Sequence, residues 1–494
     1  NAALIPLRGG GSLIVAVNDF AQGGSFAVDS GAHVIQEALG SVNHSPLGQA
    51  AIDYAYSKGA VVIASAAEEA SAYRDFPCSY ERTVHVNSVK KYEELMPLVT
   101  SQFPPSYLYL GGITDHGAHT TVSTPSGDHS SGATGRLAGI AGLIYSAAEN
   151  EVQRGEMWRY PGLNTPLSAG EVKQIIAMTA DDIDFSPSSY NVNMDVLDTI
   201  FGPSQRFRST EGWDPYSGYG RVNAYEAVKA VDEGRIPPEA EIKTPRWFEL
   251  INPGQVTLEV RGRVAAVRAE YFQYSVEFAP GWNPEADDWI TAKEAEFQYD
   301  AVEGVLATLD LGEVYGIIQD TMDERGGADD PNRYAFTIRV RVLDNHGNWG
   351  EDRKMAFCFD DGSAYLGTPL WMGAGMAASP RFADLDDDGS EELIVATEEG
   401  LIHAYDSDLS EVEGWPVHVT PLSLHLGSEG FESGQLPSEA YGSITGAPSI
   451  GDLDHDGDLE VVAGDTEGRI YAWDKDGNLL PGFPVRSNPL YSIP

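Results

Sequence analysis

The chain has 494 residues, 42% of them hydrophobic, enough for two to four domains that each bury a core. Its formal charge of −44, from 75 acidic and 31 basic side chains, excludes nucleic acid and anionic lipid as partners, since both require basic patches that displace counterions. No run approaches the roughly 18 apolar residues of a membrane span, and two cysteines far apart, Cys78 and Cys358, offer no disulfide framework and read as buried free thiols.

The chain opens at Asn1 without methionine or a secretory leader, so the expectation is that processing or truncation has removed the true start. Gly9–Ser12 reads either as a linker or as a natural turn before Leu13–Val17. From residue 13 to about 232, apolar runs alternate with amphipathic stretches. Val34–Ile35 and Val61–Ala64 read as short buried strands and Gln49–Lys58 as a helix ending before Gly59, a βαβ rhythm that predicts a mostly parallel sheet covered by helices. Further helices are predicted from Ser130 to about Asn150, from Ser168 to Thr179 and from Val222 to Val231. Ser168 and Glu171 spell a capping box.

Pro237–Pro238 breaks this pattern, and a second domain is expected over 237–362. Val256–Val264, Tyr271–Phe278 and Tyr334–Leu343 alternate apolar and polar residues, as half-buried antiparallel strands do. Asp344–Asn348 reads as a turn, Asp320–Asp330 as a long exposed acidic loop, and the whole as a β-sandwich. Residues 363–494 carry an internal repeat. Ala383–Gly389 matches Gly451–Gly457, His403–Asp406 matches Tyr471–Asp474, and Gly414–Val417 matches Gly482–Val485, all at an offset of 68. Pro421–Glu439 is then an insertion in the first unit.

Each repeat opens with an acidic loop. Asp384, Asp386, Asp388 and Glu392 stand at positions 1, 3, 5 and 9 of a loop whose sixth residue is Gly389, and Asp452, Asp454, Asp456, Gly457 and Glu460 repeat the arrangement. Oxygen ligands packed so closely suit a hard cation with six to eight ligands, so Ca²⁺ is the expected cofactor. Residues 365–494 hold 24 acidic and 4 basic side chains, which ties much of the net charge to this region. With the Leu-Ile-Val-Ala and Glu-Val-Val-Ala-Gly runs that follow them, the loops resemble the FG-GAP or VCBS repeats of integrin-type β-propellers. That resemblance implies calcium-bound blades used in adhesion or recognition. Two blades would leave edge strands open, so further blades are expected beyond Pro494.

Residues 31–231 resemble the C-terminal two-thirds of a subtilisin-like (subtilase) serine peptidase domain. Ala32–Gly40 matches the family's substrate-lining strand, V-I-N-x-S-L-G. Phe76–Cys78 and Val84–Val89 match Y-P-A and V-I-A-V-G-A-V, Thr114–Gly117 and Thr124–Ser126 match S-N-x-G and A-P-G, and Gly218–Ala224 closes the domain in the family manner. The fold implied for 1–236 is a subtilisin-like α/β parallel sheet lacking its N-terminal part, followed by the all-β sandwich and the partial propeller.

The nucleophile motif G-T-S-x-A-[ST]-P-H-V-A-G maps onto His129–Gly139, which puts Ser131 at the nucleophile position at the start of a helix, where N–H groups favour an oxyanion. Gly132, Ala133 and Gly139 keep its surroundings open, but the motif's proline and histidine are Gly135 and Arg136. The family's oxyanion motif A-A-G-N corresponds to Ser65-Ala66-Ala67-Glu68. Loss of the asparagine amide typically costs about 10²- to 10³-fold in rate, and only a protonated Glu68 could donate in its place, as in acid-active sedolisin relatives.

The family's histidine motif H-G-T-x-V-A-G is absent, and Asp29-Ser30-Gly31 spells its aspartate motif only by coincidence, directly before the substrate-lining strand. His33, His44, His85, His116, His119 and His129 read as ordinary histidines, and His116 with His119 lacks a third ligand of zinc-site spacing. A sheet without its leading strands would expose an apolar face, so a partner is expected, either the N-terminal portion of the same precursor or another chain. Two readings stay open. One is a secreted or cell-surface protein on a degenerate peptidase scaffold, with the repeats used for adhesion or assembly on a protein or surface glycan. The other is an active serine endopeptidase with Ser131 as nucleophile and its Asp and His supplied from outside this chain.

Overall fold

The structure is a computed structural model and describes residues 3–7, 17–41, 44–72, 75–91, 107–110, 114–127, 129–184, 209–322, 330, 332–359, 362 and 370–486. The N-terminal region is built on a five-stranded sheet of β1 (Val34–Glu37), β2 (Val61–Ser65), β3 (Val84–Lys91), β4 (Tyr107–Leu110) and β5 (Val122–Pro125). β1, β2, β3 and β5 pair in parallel, and β4 runs antiparallel to β3. Among the described residues five helices accompany it: α1 (Val17–Asp29), α2 (Pro46–Ser57), α3 (Ser130–Arg154), α4 (Ala169–Met178) and α5 (Ala224–Asp232). Alternation along β2 sorts them between two faces. Val61 and Ile63 pack with Leu137, Ile144, Val172 and Ala227 of α3, α4 and α5. Val62 packs with Ala21, Ala51 and Ile52 of α1 and α2.

Local chemistry fixes the helix ends. The Ser45 hydroxyl accepts from Gly48 N ahead of Pro46, the Ser168–Glu171 capping box forms as expected, and α3 stops at Gly155 in a left-handed conformation. Helix α1 was not legible in the sequence, because Gly23 and Gly24 interrupt its pattern with poor helix formers. The stretch 8–16, including the linker-or-turn choice at Gly9–Ser12, lies outside the described residues. Gly218 and Gly220 explain the closing motif. Both have positive φ, and a Cβ there would lie 2.3 Å from Thr121 O and 2.2 Å from Asp181 O, so only glycine lets this segment lie against β5 and residue 181.

The middle region pairs two sheets, β10-β9-β12-β13-β7 and β11-β8-β6. Their strands are β6 (Glu239–Thr244), β7 (Leu250–Ile251), β8 (Thr257–Ala265), β9 (Phe272–Pro280), β10 (Ile290–Gln298), β11 (Val302–Asp310), β12 (Ala335–Asp344) and β13 (Trp349–Cys358). Val260, Val264, Val276, Phe336, Ile338 and Val340 share one core between them. The stretch read as an exposed acidic loop, 320–330, lies mostly outside the described residues, and of those described only its first two residues are helical. Helix α6 (Leu311–Thr321), N-capped by Asp310, runs into the start of the segment read as an exposed acidic loop. Leu311, Val314 and Ile318 lie at i, i+3 and i+7, a helical stripe buried in the sandwich core. Residues 323–329 lie outside the described residues.

The C-terminal repeat folds as two four-stranded antiparallel sheets. The first holds β14 (Arg381–Ala383), β15 (Glu392–Ala396), β16 (Leu401–Tyr405) and β17 (Val417–His418). The second holds β18 (Ser449–Gly451), β19 (Glu460–Gly464), β20 (Arg469–Trp473) and β21 (Val485–Arg486), each strand at the 68-residue offset. Ile394, Trp415, Val461 and Tyr471 place both sheets in one core. The 421–439 insertion carries the short helix α7 (Glu429–Glu432) and docks on α1 and α2. Phe431 and Leu436 pack with Leu47 and Tyr54, while Asn18 Nδ2 donates to Tyr441 O at 2.9 Å and His44 N to Glu398 Oε2 at 2.8 Å.

Candidate active site and acidic loops

Strand β2 ends at Ser65 and runs directly into Ala66-Ala67-Glu68, which brings Glu68 to the N-terminus of α3. There Glu68 Oε1 accepts from Ser130 N at 2.7 Å, from Ser130 Oγ at 2.6 Å and from Ser131 N at 3.4 Å. The first N–H groups of a helix have no intrahelical acceptor and carry partial positive charge, so this end attracts an anion. Glu68 Oε1 occupies that position. Ser65 Oγ lies 2.5 Å from Ser130 Oγ and supports it from behind. The Ser131 hydroxyl turns the other way and donates to Ala38 O at 3.1 Å, just beyond β1.

Ala67 has φ = 77° at the position where the resembled family motif has glycine. A left-handed alanine costs about 1 kcal/mol or more. The turn is held by Asp115 N, which donates to Ala67 O at 3.0 Å. Of the altered motif positions, Gly135 faces open space and Arg136 donates to Pro125 O.

Carboxyl groups crowd this end of the sheet. Burial pushes Glu37 up to about 8, with Asp75 adding to the rise against the Leu39 N–H, which lowers it. Burial likewise raises Asp75 to about 7, with Glu69 and Glu68 contributing, and raises Asp115 to about 7, with Glu69 contributing. Such groups favour their neutral forms, so mildly acidic solution relieves the crowding.

Among the described residues no histidine is hydrogen-bonded to Ser131. His33 lies against Tyr145, His44 against Phe76 and Tyr80, and His116 against Tyr216. His129 is the N-cap residue of α3 but makes no side-chain cap. Asp29 ends α1, where it accepts from Tyr54 Oη at 2.5 Å and Gly430 N at 3.4 Å, so its carboxylate is engaged away from α3. Burial drives His85 down to about 3, which keeps its imidazole neutral.

The Subtilase family model matches residues 1–220. These residues form a subtilase domain. The chain is 26% identical over 226 residues to the thermophilic serine proteinase of Bacillus sp. (strain AK1), covering 43% of this chain and 41% of that protein. It is 28% identical over 216 residues to thermitase of Thermoactinomyces vulgaris, covering 42% and 58%. The chain thus spans about half the length of these curated relatives. Among solved structures, the prenylagaramide maturation protease PagA is similar at 15% identity and TM-score 0.31, over 46% of this chain and 72% of that one. The patellamide maturation protease PatA is similar at 16% identity and TM-score 0.31, over 44% and 70%.

The acidic loops gather three carboxylates each. Ligand atoms of Asp384, Asp386 and Glu392 lie within 4.8 Å of one another, and Asp452, Asp454 and Glu460 do the same. Asp388 and Asp456 stand outside these trios and accept from Ser390 N at 2.7 Å and Asp458 N at 3.0 Å. Glu392 and Glu460 anchor the loops identically, through Leu385 N and Leu453 N at 2.6 Å. Their partners leave oxygens over: Asp384 Oδ1, Glu392 Oε1 and Asp452 Oδ1 are buried without a hydrogen-bond partner. Buried carboxylate oxygens without donors are costly, and a divalent cation is the partner that fits an all-oxygen set. Burial raises the Glu392 carboxyl, and Asp386 and Asp388 add to the rise. Among the described residues no helix is long and apolar enough to cross a membrane.

Proposed function

We propose that this subtilase domain is a degenerate peptidase scaffold, and that the protein works outside the cell, in adhesion or surface assembly, through calcium-loaded repeats. One observation carries the first half: the Glu68 carboxylate sits on the Ser130 and Ser131 N–H groups. In acyl transfer the N–H at the nucleophile must meet the developing oxyanion. A carboxylate already bound there both blocks the position and repels the charge.

The second half rests on the paired carboxylate trios and their unpartnered oxygens. Asp384, Asp386, Glu392 and their counterparts would hold Ca²⁺, with Asp388 and Asp456 turning inward as the loops close. The two antiparallel sheets would be successive blades of an FG-GAP-like β-propeller, facing a protein or surface-glycan ligand and continued by further blades. The N-terminal portion of the precursor or another chain would pair with β1, whose outer edge has no strand partner among the described residues.

The retained Ser131 supports a second reading, an active endopeptidase whose base and orienting carboxylate come from outside this chain. In that case Glu68 must be protonated to donate, and activity is confined to acidic pH. A fluorophosphonate probe separates the two. Full-length protein is expected to remain unlabelled from pH 4 to pH 8. Labelling that disappears in Ser131→Ala would establish the enzyme reading instead.

A further inference from the structure

Cys78, His85 and His119 come from three separate segments: the turn after residue 75, strand β3, and the turn before β5. All three are buried, and one ligand atom from each lies within 4.8 Å of the other two. The two imidazoles meet edge to face with ring centroids 4.3 Å apart. Ser79 Oγ lies 3.4 Å from His119 Nε2, and Cys78 Sγ donates to Asp75 O at 3.0 Å.

A second observation is independent of the clustering. His85 is 1% exposed, and both of its ring nitrogens lack a hydrogen-bond partner. Burying a polar group unpaired carries a desolvation penalty that native interiors seldom leave uncompensated. A cation on one ring nitrogen would supply one of the two missing partners. The set of one thiolate and two imidazoles selects zinc and similar soft ions over calcium or magnesium.

We propose that Cys78, His85 and His119 form a zinc-binding site within the subtilase domain. A thiolate and two imidazoles leave the fourth tetrahedral position to a water, and a cavity of about 30 Å³ that Cys78 and His119 line, though His85 does not, lies next to the cluster. The ligands must close by about 1 Å to reach zinc–ligand lengths of about 2.0–2.3 Å. Side-chain rotation of Cys78 and His119, both on turns, supplies that movement. The site lies under the sandwich, because the His119 ring packs against Trp247 at 6.1 Å and Phe248 at 5.7 Å. The metal therefore ties two turns to β3 at the place where the second domain rests. Along the chain the nearest histidine to His119 is His116, without a third ligand of zinc-site spacing. The fold instead pairs His119 with His85 and Cys78, 34 and 41 positions upstream.

Cobalt(II) reports this site directly. Full-length protein stripped with chelator and titrated with Co²⁺ is expected to bind one equivalent with a thiolate-to-cobalt charge-transfer band, which Zn²⁺ then bleaches while raising Tm. Cys78→Ser and His85→Gln should abolish the band, and Cys358→Ser should keep it. Glu392→Gln with Glu460→Gln should also keep it, which separates this site from the acidic loops. The band is read on wild-type protein, so a misfolded variant does not spoil the test. Absence of a thiolate band in wild type, or its loss in Cys358→Ser, would overturn the proposal.

Discussion

Two groups of carboxylates in this molecule meet opposite fates. At the N-terminus of α3, Glu68 has three donors on one oxygen, two of them backbone N–H groups of the helix. In the repeat loops, Asp384, Glu392 and Asp452 hold buried oxygens with no donor at all. At the helix end the chain supplies its own acceptor, whereas in the loops carboxylate oxygens are left without a donor, and it is there that we propose a cation binds. The contrast follows from which neighbour each carboxylate finds, since acidic residues are abundant in both places.

Removing calcium should break the loop half of this contrast and leave the helix half intact. A ligand that binds only the folded state stabilises it by about 2.7 kcal/mol per site at a hundredfold excess over its Kd. Chelation should therefore lower Tm for the repeat unit by several degrees. Asp384→Asn with Asp452→Asn should remove the calcium response, measured by calorimetry with and without chelator. An unchanged Tm on chelation would show that the loops are not structural calcium sites.

The next effect is that of pH on the crowded carboxyls beside the site. Glu37 has a folded-state value of about 8 against an ordinary value of 4.5. Its protonated form is favoured by the fold, so its contribution is fully present below about pH 4.5 and is lost as pH rises through 8. Between pH 5 and pH 8.5 the loss should reach about 2 kcal/mol, discounted because Glu37 is partly open to solvent. Glu37→Gln should flatten the denaturation midpoint over that range. A wild-type profile no steeper than that of the variant would contradict the assignment.

Smaller effects probe Glu68 and its turn. Glu68→Gln removes a charge-assisted acceptor from the helix N-terminus and should cost about 1 kcal/mol, with or without calcium. Ala67→Gly should stabilise by about 0.5–1 kcal/mol, because relief at φ = 77° outweighs the added freedom of the unfolded glycine. Urea denaturation reads both changes. Destabilisation by Ala67→Gly would mean that the turn does not hold this conformation in solution.

The sequence carried much of this, and its gaps have physical causes. β2, α3 and the Ser168 cap were legible because their hydrophobic period and capping residues are local signals. Helix α1 was hidden by its paired glycines, and α6 by the acidic stretch into which it runs. Ser131 and Glu68 were located by motif order, but the contact between them could not be read, because it joins residues 63 positions apart. The Cys78–His85–His119 cluster was missed for the same reason: metal-site spacings are recognisable when the ligands share a turn or helix, and here three segments meet through the sheet. The docking of the 421–439 insertion on α1 and α2 is likewise a tertiary fact.

The most direct test of the central claim is to follow the backbone amides of Ser130 and Ser131 by NMR in isotope-labelled serine protein while pH is scanned. If Glu68 occupies the N-terminus of α3, both amide resonances will shift along one carboxylate titration, and Glu68→Gln will abolish that shift. Amides that stay flat in wild type, or that shift identically in Glu68→Gln, would show that the anion position is free and that the degenerate-scaffold account is wrong.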